Sequence, residues 1–165
     1  MEVAQFVRNA SHIEGVKKMY KTILVPTDGS DLSNEAIKEA AKLAVFHGAS
    51  LHILHVRAQH DRPLYSDGSA IRYVPKKTEK EQEQTAEAAL LAKAGKLALK
   101  HGAKAETQFV TNNSPYEAII KSAKKLGVDL IVMASHGRRG LSAMLLGSET
   151  QKLLTHTKIP VLVVR

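Results

Sequence analysis

A glycine-rich stretch near the end of the chain carries residues that can bind a phosphate group. Gly137 and Gly147 bracket nine residues, and Ser148 follows at the predicted start of a helix. Glycines let a backbone come close to phosphate oxygens, and the amino end of a helix offers N–H donors and a favourable dipole. Arg138 and Arg139 add positive charge. The alternative is structural, with the glycines shaping a turn and Ser148 capping its helix.

A second polar loop, Pro26 to Ser30, follows the first predicted strand and contains a carboxylate. Asp28 in this loop can accept hydrogen bonds from a ribose hydroxyl or an adenine amino group. The alternative is an Asx-type turn in which Asp28 and Ser30 only lead the chain into the next helix. An acid at the tip of one central strand, facing a glycine loop from another, favours the ligand-binding interpretation.

Several other kinds of site find no support in the residue patterns. The chain has no cysteine, no Walker A or G-x-G-x-x-G loop and no G-x-S-x-G elbow, which argues against thiol chemistry, dinucleotide sites and serine hydrolases. His52 and His55 point to opposite faces of a predicted strand and cannot share a metal ion. Ser135 next to His136 could form a catalytic dyad, but the sequence indicates no acid that would orient the histidine. We expect no catalytic residues and no metal site, apart from Mg carried by nucleotide phosphates.

Five short apolar runs alternate with four helical patterns. This alternation predicts βαβ units, right-handed crossovers and a parallel sheet covered on both sides. The predicted fold is therefore α/β, with a single open five-stranded parallel sheet and helices on both faces. The predicted strands are Lys21 to Pro26, Ser50 to Val56, Ala105 to Thr111, Val128 to Ala134 and Ile159 to Val164. The predicted helices are Ser33 to His47, Glu79 to His101, Ser114 to Gly127, and a fourth from about Gly147 to before Ile159.

The two polar loops follow the strands that are expected to be central. Lys21 to Pro26 and Val128 to Ala134 are nearly continuous apolar runs, which is typical of parallel strands buried on both sides. Their loops therefore emerge at the same carboxyl edge of the sheet, where ligands of open α/β sheets bind. We expect a ligand there to touch Asp28, Gly137, Gly147 and Ser148.

Two segments lie outside this alternating pattern. Residues 57–78 form a connection of about twenty residues without periodicity, and a loop of that length is usually functional or mobile. Residues 1–20 are expected to be an extension that is disordered or loosely helical, which leaves a predicted domain from 21 to 165.

Composition and charge limit the class of protein and its partners. The chain has 165 residues, of which 44% are hydrophobic and 24% are charged, as in a soluble single domain. No apolar run has the length of a membrane span and no signal-peptide core is present, so we expect a cytoplasmic protein without a membrane partner. The net charge of +8 favours anions such as phosphates. Nucleic acid is not expected, because the basic residues are spread over helices and loops without a binding motif.

Several motifs together resemble those of the universal stress protein family over essentially all of residues 20–165. They are YKTILVPTDGS at 20–30, LHV at 54–56, DLIVMASHG at 129–137, LLGS at 145–148 and IPVLVV at 159–164. The resemblance implies a Rossmann-like sheet with the strand order 3-2-1-4-5. In the ATP-binding branch of the family it also implies the motif G-x2-G-x9-G-[ST].

One position departs from that motif. Ala134 stands at the first glycine position, Gly137 at the second, Gly147 at the third and Ser148 at the hydroxyl position. Alanine adds a methyl group where the family's binders bring their backbone close to the ligand. On the resemblance alone, Ala134→Gly is therefore expected to strengthen binding.

The resemblance also implies a set of nucleotide-binding residues. It places Pro26, Thr27 and Asp28 around adenine and ribose, with Val56 against the base. The full set is Pro26, Thr27, Asp28, Val56, Met133, Ala134, His136, Gly137, Arg138, Gly147, Ser148, Glu149 and Thr150.

The implied function is that of a cytoplasmic stress-response protein that binds ATP, or the related AMP or ADP, together with Mg. The nucleotide is expected to act as a regulatory ligand, with at most slow hydrolysis. One alternative is an interaction or signalling protein of the same fold that binds no nucleotide, and another is a slow ATP hydrolase related to the adenine nucleotide α-hydrolases. The resemblance also puts Ile159 to Val164 at a sheet edge, where the strand predicts an antiparallel homodimer.

Overall fold

The computed structural model describes residues 19–57, 63–66, 69–72, 77–137 and 146–165. These residues form seven strands and four helices. The strands are β1 (Thr22–Thr27), β2 (Ser50–Arg57), β3 (Pro63–Ser66), β4 (Ser69–Arg72), β5 (Ala105–Thr111), β6 (Leu130–Ala134) and β7 (Val161–Val164). The helices are α1 (Asp31–His47), α2 (Lys77–Lys100), α3 (Pro115–Leu126) and α4 (Ser148–His156).

Five strands form one parallel sheet in the order β5-β2-β1-β6-β7. Counted along the chain without β3 and β4, this is the order 3-2-1-4-5, so the predicted α/β fold is confirmed. β1 lies at the centre, paired with β2 from Thr22↔Ser50 to Thr27↔His55 and with β6 through Ile23↔Leu130. The loops after β1 and β6 therefore leave the same edge side by side.

Helices on both faces divide the core into two clusters. Side chains of a strand alternate between faces, so Ile23 and Val25 pack under α1 and α2, whereas Leu24 packs under α3 and α4. The buried face of α1 consists of small and aliphatic residues that let the helix lie close to the sheet, namely Ser33, Ala36, Ile37, Ala40, Ala41 and Ala44. The core is aliphatic, in agreement with a chain that has no Trp.

The helix ends follow local signals in the sequence. The Ser30 side chain accepts a hydrogen bond from the Ser33 N–H at the start of α1, and Gly48 ends that helix with φ 60°. Gly127 ends α3 in the same left-handed conformation, with φ 64°. Glycine adopts this conformation without steric cost, so both helices stop where predicted. α1 begins at Asp31, two residues before the predicted start, because Ser30 is the residue that caps it.

Part of the 57–78 connection is regular, which the sequence did not predict. β3 and β4 pair antiparallel, with Pro63 opposite Arg72 and Ser66 opposite Ser69. Strands of four residues are too short for an alternation of hydrophobic and polar residues to be recognised. The expectation of an irregular loop was therefore wrong for 63–66 and 69–72. Residues 1–18, the bulk of the expected extension, lie outside the described residues.

Among the described helices, none combines the length and the apolar composition that crossing a bilayer requires.

Candidate functional site

The loop after β1 is held by its own side chains. The Asp28 Oδ1 accepts hydrogen bonds from the Ser30 N–H, at 3.0 Å, and from the Ser30 hydroxyl, at 2.6 Å. The buried Thr27 Oγ1 accepts from the Gly29 N–H at 3.1 Å and lies 3.0 Å from the Ser33 hydroxyl. The Asx-type turn expected as an alternative is therefore confirmed, and it fixes the direction of the Asp28 carboxylate.

The loop after β6 comes so close to Asp28 that any side chain at Gly137 would force the Asp28 carboxylate to move. A methyl group placed on Gly137 would stand 2.7 Å from the Asp28 Oδ2, closer than real Cβ contacts come. The two loops that the sequence predicted at one edge are thus in direct contact. Gly137 itself is exposed, so this contact borders the solvent-accessible carboxyl edge of the sheet.

Hydrogen bonds join the amino end of α4 to the end of β6. The Gly147 N–H donates to the Ser135 carbonyl at 2.8 Å, and the Thr150 hydroxyl donates to the Ala134 carbonyl at 3.0 Å. A methyl group on Gly147 would lie 3.2 Å from the Ser135 carbonyl oxygen and 3.4 Å from the His136 Cα. The first N–H groups of α4, like those of every helix, have no intrahelical acceptor, and Gly147 has no side chain that could cap them. Such groups are suited to an anion.

His136 lies in the loop after β6, between Ser135 and Gly137. Its Nδ1 lies 3.0 Å from the Ser135 hydroxyl. Its Nε2 is buried and has no hydrogen-bond partner among the described residues. The described residues also contain no group of three or more acidic or histidine side chains arranged to hold a metal ion. His136 therefore has a polar atom for which the described part of the protein supplies no partner.

The apolar residues of the predicted set face in two directions. Val56 and Met133 are partly buried and pack against the cluster under α3 and α4. Pro26 is also partly buried, in β1. Ala134 is only 7% exposed and belongs to the cluster under α1 and α2. Its methyl group therefore packs in the core and does not line the contact between the β1 and β6 loops.

Three charged or polar residues of the predicted set are placed differently from one another. The Glu149 carboxylate accepts a hydrogen bond from the Tyr116 N–H at 3.0 Å and lies 3.0 Å from the Lys152 Nζ. This carboxylate is thus engaged with α3 and with its own helix. Ser148 is exposed at the first position of α4. Arg138 lies outside the described residues.

Two features of this edge were missed by the sequence analysis. The first is a cavity of about 280 Å³ beside the β1 loop, lined by Thr27, Gly29, Asn34, Ala89, Leu90, Lys93 and Ala94. The four lining residues from α2 lie more than fifty positions from the loop in sequence, and their helical pattern indicates only a packed helix. No sequence signal marks them as part of a site.

The second missed feature is a partly buried ion pair at the end of β2. The Arg57 Nη1 lies 3.1 Å from the Glu87 Oε1, and Glu87 is only 8% exposed. The Arg57 Nη2 donates to the Thr111 hydroxyl at 3.1 Å, and the guanidinium lies 5.6 Å from the centre of the Phe109 ring. Through these contacts the Arg57 side chain links β2, β5 and α2 next to Val56.

The sheet order and the loop contact define a class of protein. It is an open, doubly wound α/β protein in which the loops after β1 and β6 meet at the carboxyl edge of the sheet. A sequence profile of the universal stress protein family matches residues 19–165. The chain belongs to the universal stress protein family.

Curated relatives match over most of their length. Universal stress protein YxiE of Bacillus subtilis is 38% identical over 153 residues, which cover 89% of this chain and 100% of the relative. A universal stress protein of Methanocaldococcus jannaschii is 35% identical over 156 residues, covering 94% of this chain and 88% of the relative.

Solved structures share the fold. A universal stress protein in complex with cAMP has a TM-score of 0.67 and 27% identity, covering 88% of this chain and 97% of that one. The universal stress protein UspA of Lactobacillus plantarum has a TM-score of 0.69 and 25% identity, covering 88% and 98%. An Archaeoglobus fulgidus universal stress protein in complex with dAMP has a TM-score of 0.62 and 21% identity, covering 88% and 98%.

Proposed function

We propose that this protein binds an adenine nucleotide at the carboxyl edge of the sheet, between the β1 and β6 loops. The nucleotide is ATP, AMP or ADP, with Mg bound to its phosphates, and it acts as a regulatory ligand in a cytoplasmic stress response. The observation that carries the proposal is the contact between Gly137 and the Asp28 carboxylate. It brings an acid and a glycine loop together next to the amino end of α4.

The chemistry of these groups suits different parts of a nucleotide. Asp28 is a hydrogen-bond acceptor held in place by Ser30, so it suits the ribose hydroxyls. The N–H groups at the start of α4 and the exposed Ser148 suit the phosphates. Val56, which is partly buried, suits the base. The relative in complex with cAMP, which is 27% identical, supports an adenine nucleotide as the ligand.

The described residues favour binding over catalysis. Hydrolysis of ATP needs a group that positions water against the terminal phosphate. Of Asp28 and His136, Asp28 is assigned to the ribose, which leaves only the His136 Nε2 to position that water. We therefore propose at most slow hydrolysis.

The proposal is tested by titrating the purified protein with Mg-ATP, AMP and cAMP in a calorimeter. Binding raises the melting temperature, because a ligand at about 100 times its Kd adds about 2.7 kcal/mol of stability. Gly147→Val should abolish binding, since its side chain would meet the Ser135 carbonyl. Circular dichroism checks that this variant still folds. A wild-type protein that gives no heat and no melting shift with any of the three at millimolar concentration contradicts the proposal.

We also propose a homodimer through residues Ile159 to Val164. Among the described residues, β7 pairs only with β6, so its other side is a free sheet edge. Leu162 on this strand is 42% exposed. The β7 edges of two copies can pair antiparallel about a two-fold axis, and this pairing covers the free edge of each copy.

A further inference from the structure

The amino edge of the sheet, opposite the proposed nucleotide site, carries a band of lysines. Because the five strands are parallel, the residues that enter them and the ends of the preceding helices lie on one side of the molecule. We name this surface the basic edge and define it by Lys21, Lys100, Lys104, Lys124, Lys125 and Lys158.

The charge of the basic edge is not neutralised within the described residues. All six lysines are exposed, and the described residues place no carboxylate within ion-pair distance of them. The acids of this edge have other neighbours. Asp129 accepts hydrogen bonds from the Lys21 and Thr22 N–H groups, and Glu106 lies 3.4 Å from the His52 Nδ1.

Helix dipoles account for only part of this band. Lysines in the last turn of a helix complement the negative end of its dipole, which explains Lys124 and Lys125 on α3 and Lys100 on α2. Lys104 and Lys158 lie in loops outside the helices. Their charge is therefore available to a partner.

The lysines form a two-dimensional array. Lys104 precedes β5 at one side of the sheet and Lys158 precedes β7 at the other, four strand spacings or about 19 Å apart. α2 and α3 end on opposite faces of the sheet, which places Lys100 and Lys124 on either side of that line. The array thus matches a flat anionic surface better than the narrow track of a nucleic acid backbone.

Large apolar side chains are exposed along the same edge. Met19, just before β1, is 69% exposed, Phe46 near the end of α1 is 58% exposed, and Leu99 near the end of α2 is 63% exposed. Basic and apolar side chains on one surface are typical of proteins that lie on anionic bilayers.

We propose that the basic edge docks on a bilayer surface that contains anionic phospholipids. The lysines meet the headgroups, and Met19, Phe46 and Leu99 enter the headgroup region. This contact needs no membrane-spanning segment, and the absence of such a segment was the basis for expecting no membrane partner. Docking also leaves the opposite, carboxyl edge open to solvent.

The test is sedimentation of the full chain with vesicles of phosphatidylcholine, with and without about one third phosphatidylserine. The edge variant Lys104→Gln/Lys158→Gln, which changes the two lysines in loops, is compared with a control, Lys38→Gln/Lys42→Gln, in which the lysines lie on α1 and pair with Glu35 and Glu39. Both variants lower the net charge by two. A lysine near the bilayer contributes about fivefold in binding, so the edge variant should bind about 25-fold more weakly, while the control binds like wild type.

A second comparison separates lipid from nucleic acid. Phe46→Ser should weaken vesicle binding without changing the net charge, because it removes an exposed apolar group at the same edge. Duplex DNA is titrated in parallel at the same salt concentration. The proposal is overturned if the anionic vesicles are not bound, if the two double variants lose binding equally, or if the edge variant and Phe46→Ser affect DNA binding and leave vesicle binding unchanged.

Discussion

The two carboxylate oxygens of Asp28 have different neighbours. Oδ1 accepts two hydrogen bonds from Ser30, whereas Oδ2 faces Gly137. The turn and the ligand-binding role, which the sequence offered as alternatives, are therefore compatible. A carboxylate already held by a turn loses little conformational freedom when a ligand binds, which favours affinity.

The first prediction concerns the contact at Gly137. Gly137→Ala should lower adenine nucleotide affinity at least tenfold, because its methyl group would displace the Asp28 carboxylate. Gly95→Ala in α2 is the matched control, since its methyl group would lie an ordinary 3.5 Å from the Thr107 Cγ2. The control should keep its affinity and gain roughly 0.5–1 kcal/mol of stability from helix propensity. Calorimetry that shows equal affinities for both variants contradicts this role of Gly137.

The second prediction concerns Ala134, whose burial changes the expectation from the family motif. Its methyl group packs in the core under α1. Ala134→Gly should therefore lower the free energy of unfolding by about 1–2 kcal/mol, through lost burial and added backbone freedom. Nucleotide affinity should stay close to that of wild type. Urea titration and calorimetry measure the two effects, and a tighter nucleotide complex without loss of stability would restore the original expectation.

At the scale of elements, what the sequence predicted depended on local signals. α1 has apolar residues at helical spacing, Ser30 before it and Gly48 after it, so its position was predicted within two residues. The β3–β4 hairpin has strands of four residues and no such signal. The Glu149 carboxylate accepts a hydrogen bond from the Tyr116 N–H at the start of α3. That contact joins residues 33 positions apart, which no local pattern reveals.

The third prediction concerns the ion pair that joins α2 to the sheet. Glu87→Ala should destabilise the protein by about 2 kcal/mol, because it leaves the partly buried Arg57 without its carboxylate. The comparison is Glu35→Ala, which breaks an exposed pair with Lys38 and should change stability by less than about 0.5 kcal/mol. Denaturation in urea measures both. If both substitutions change the free energy of unfolding equally and only slightly, contacts of Arg57 other than Glu87 hold α2 against the sheet.

At the scale of the whole molecule, the sheet order was predictable from the sequence, whereas the cavity beside the β1 loop was not. Alternating strands and helices, with right-handed crossovers, restrict the topology to few choices, and the motifs selected one of them. The cavity beside Thr27 depends on how α2 packs across α1. That packing is set by tertiary contacts of small residues, which composition alone does not determine. The same sheet leaves β5 and β7 as its two outer strands.

The last prediction is that the protein forms a dimer through β7. Pairing of two β7 edges satisfies free backbone groups and covers Leu162, which is 42% exposed. Sedimentation of the wild-type protein should show about twice 18.0 kDa. Leu162→Glu should give a folded monomer. The side chain at position 162 is exposed in the monomer, so a glutamate there is tolerated. In the dimer it would be buried next to the same glutamate of the other copy. Phe109→Glu, on the opposite outer strand β5 and 46% exposed before the change, is the control and should remain a dimer. A wild-type monomer at tens of micromolar, or loss of the dimer in the Phe109 variant alone, would show that β7 is not the interface.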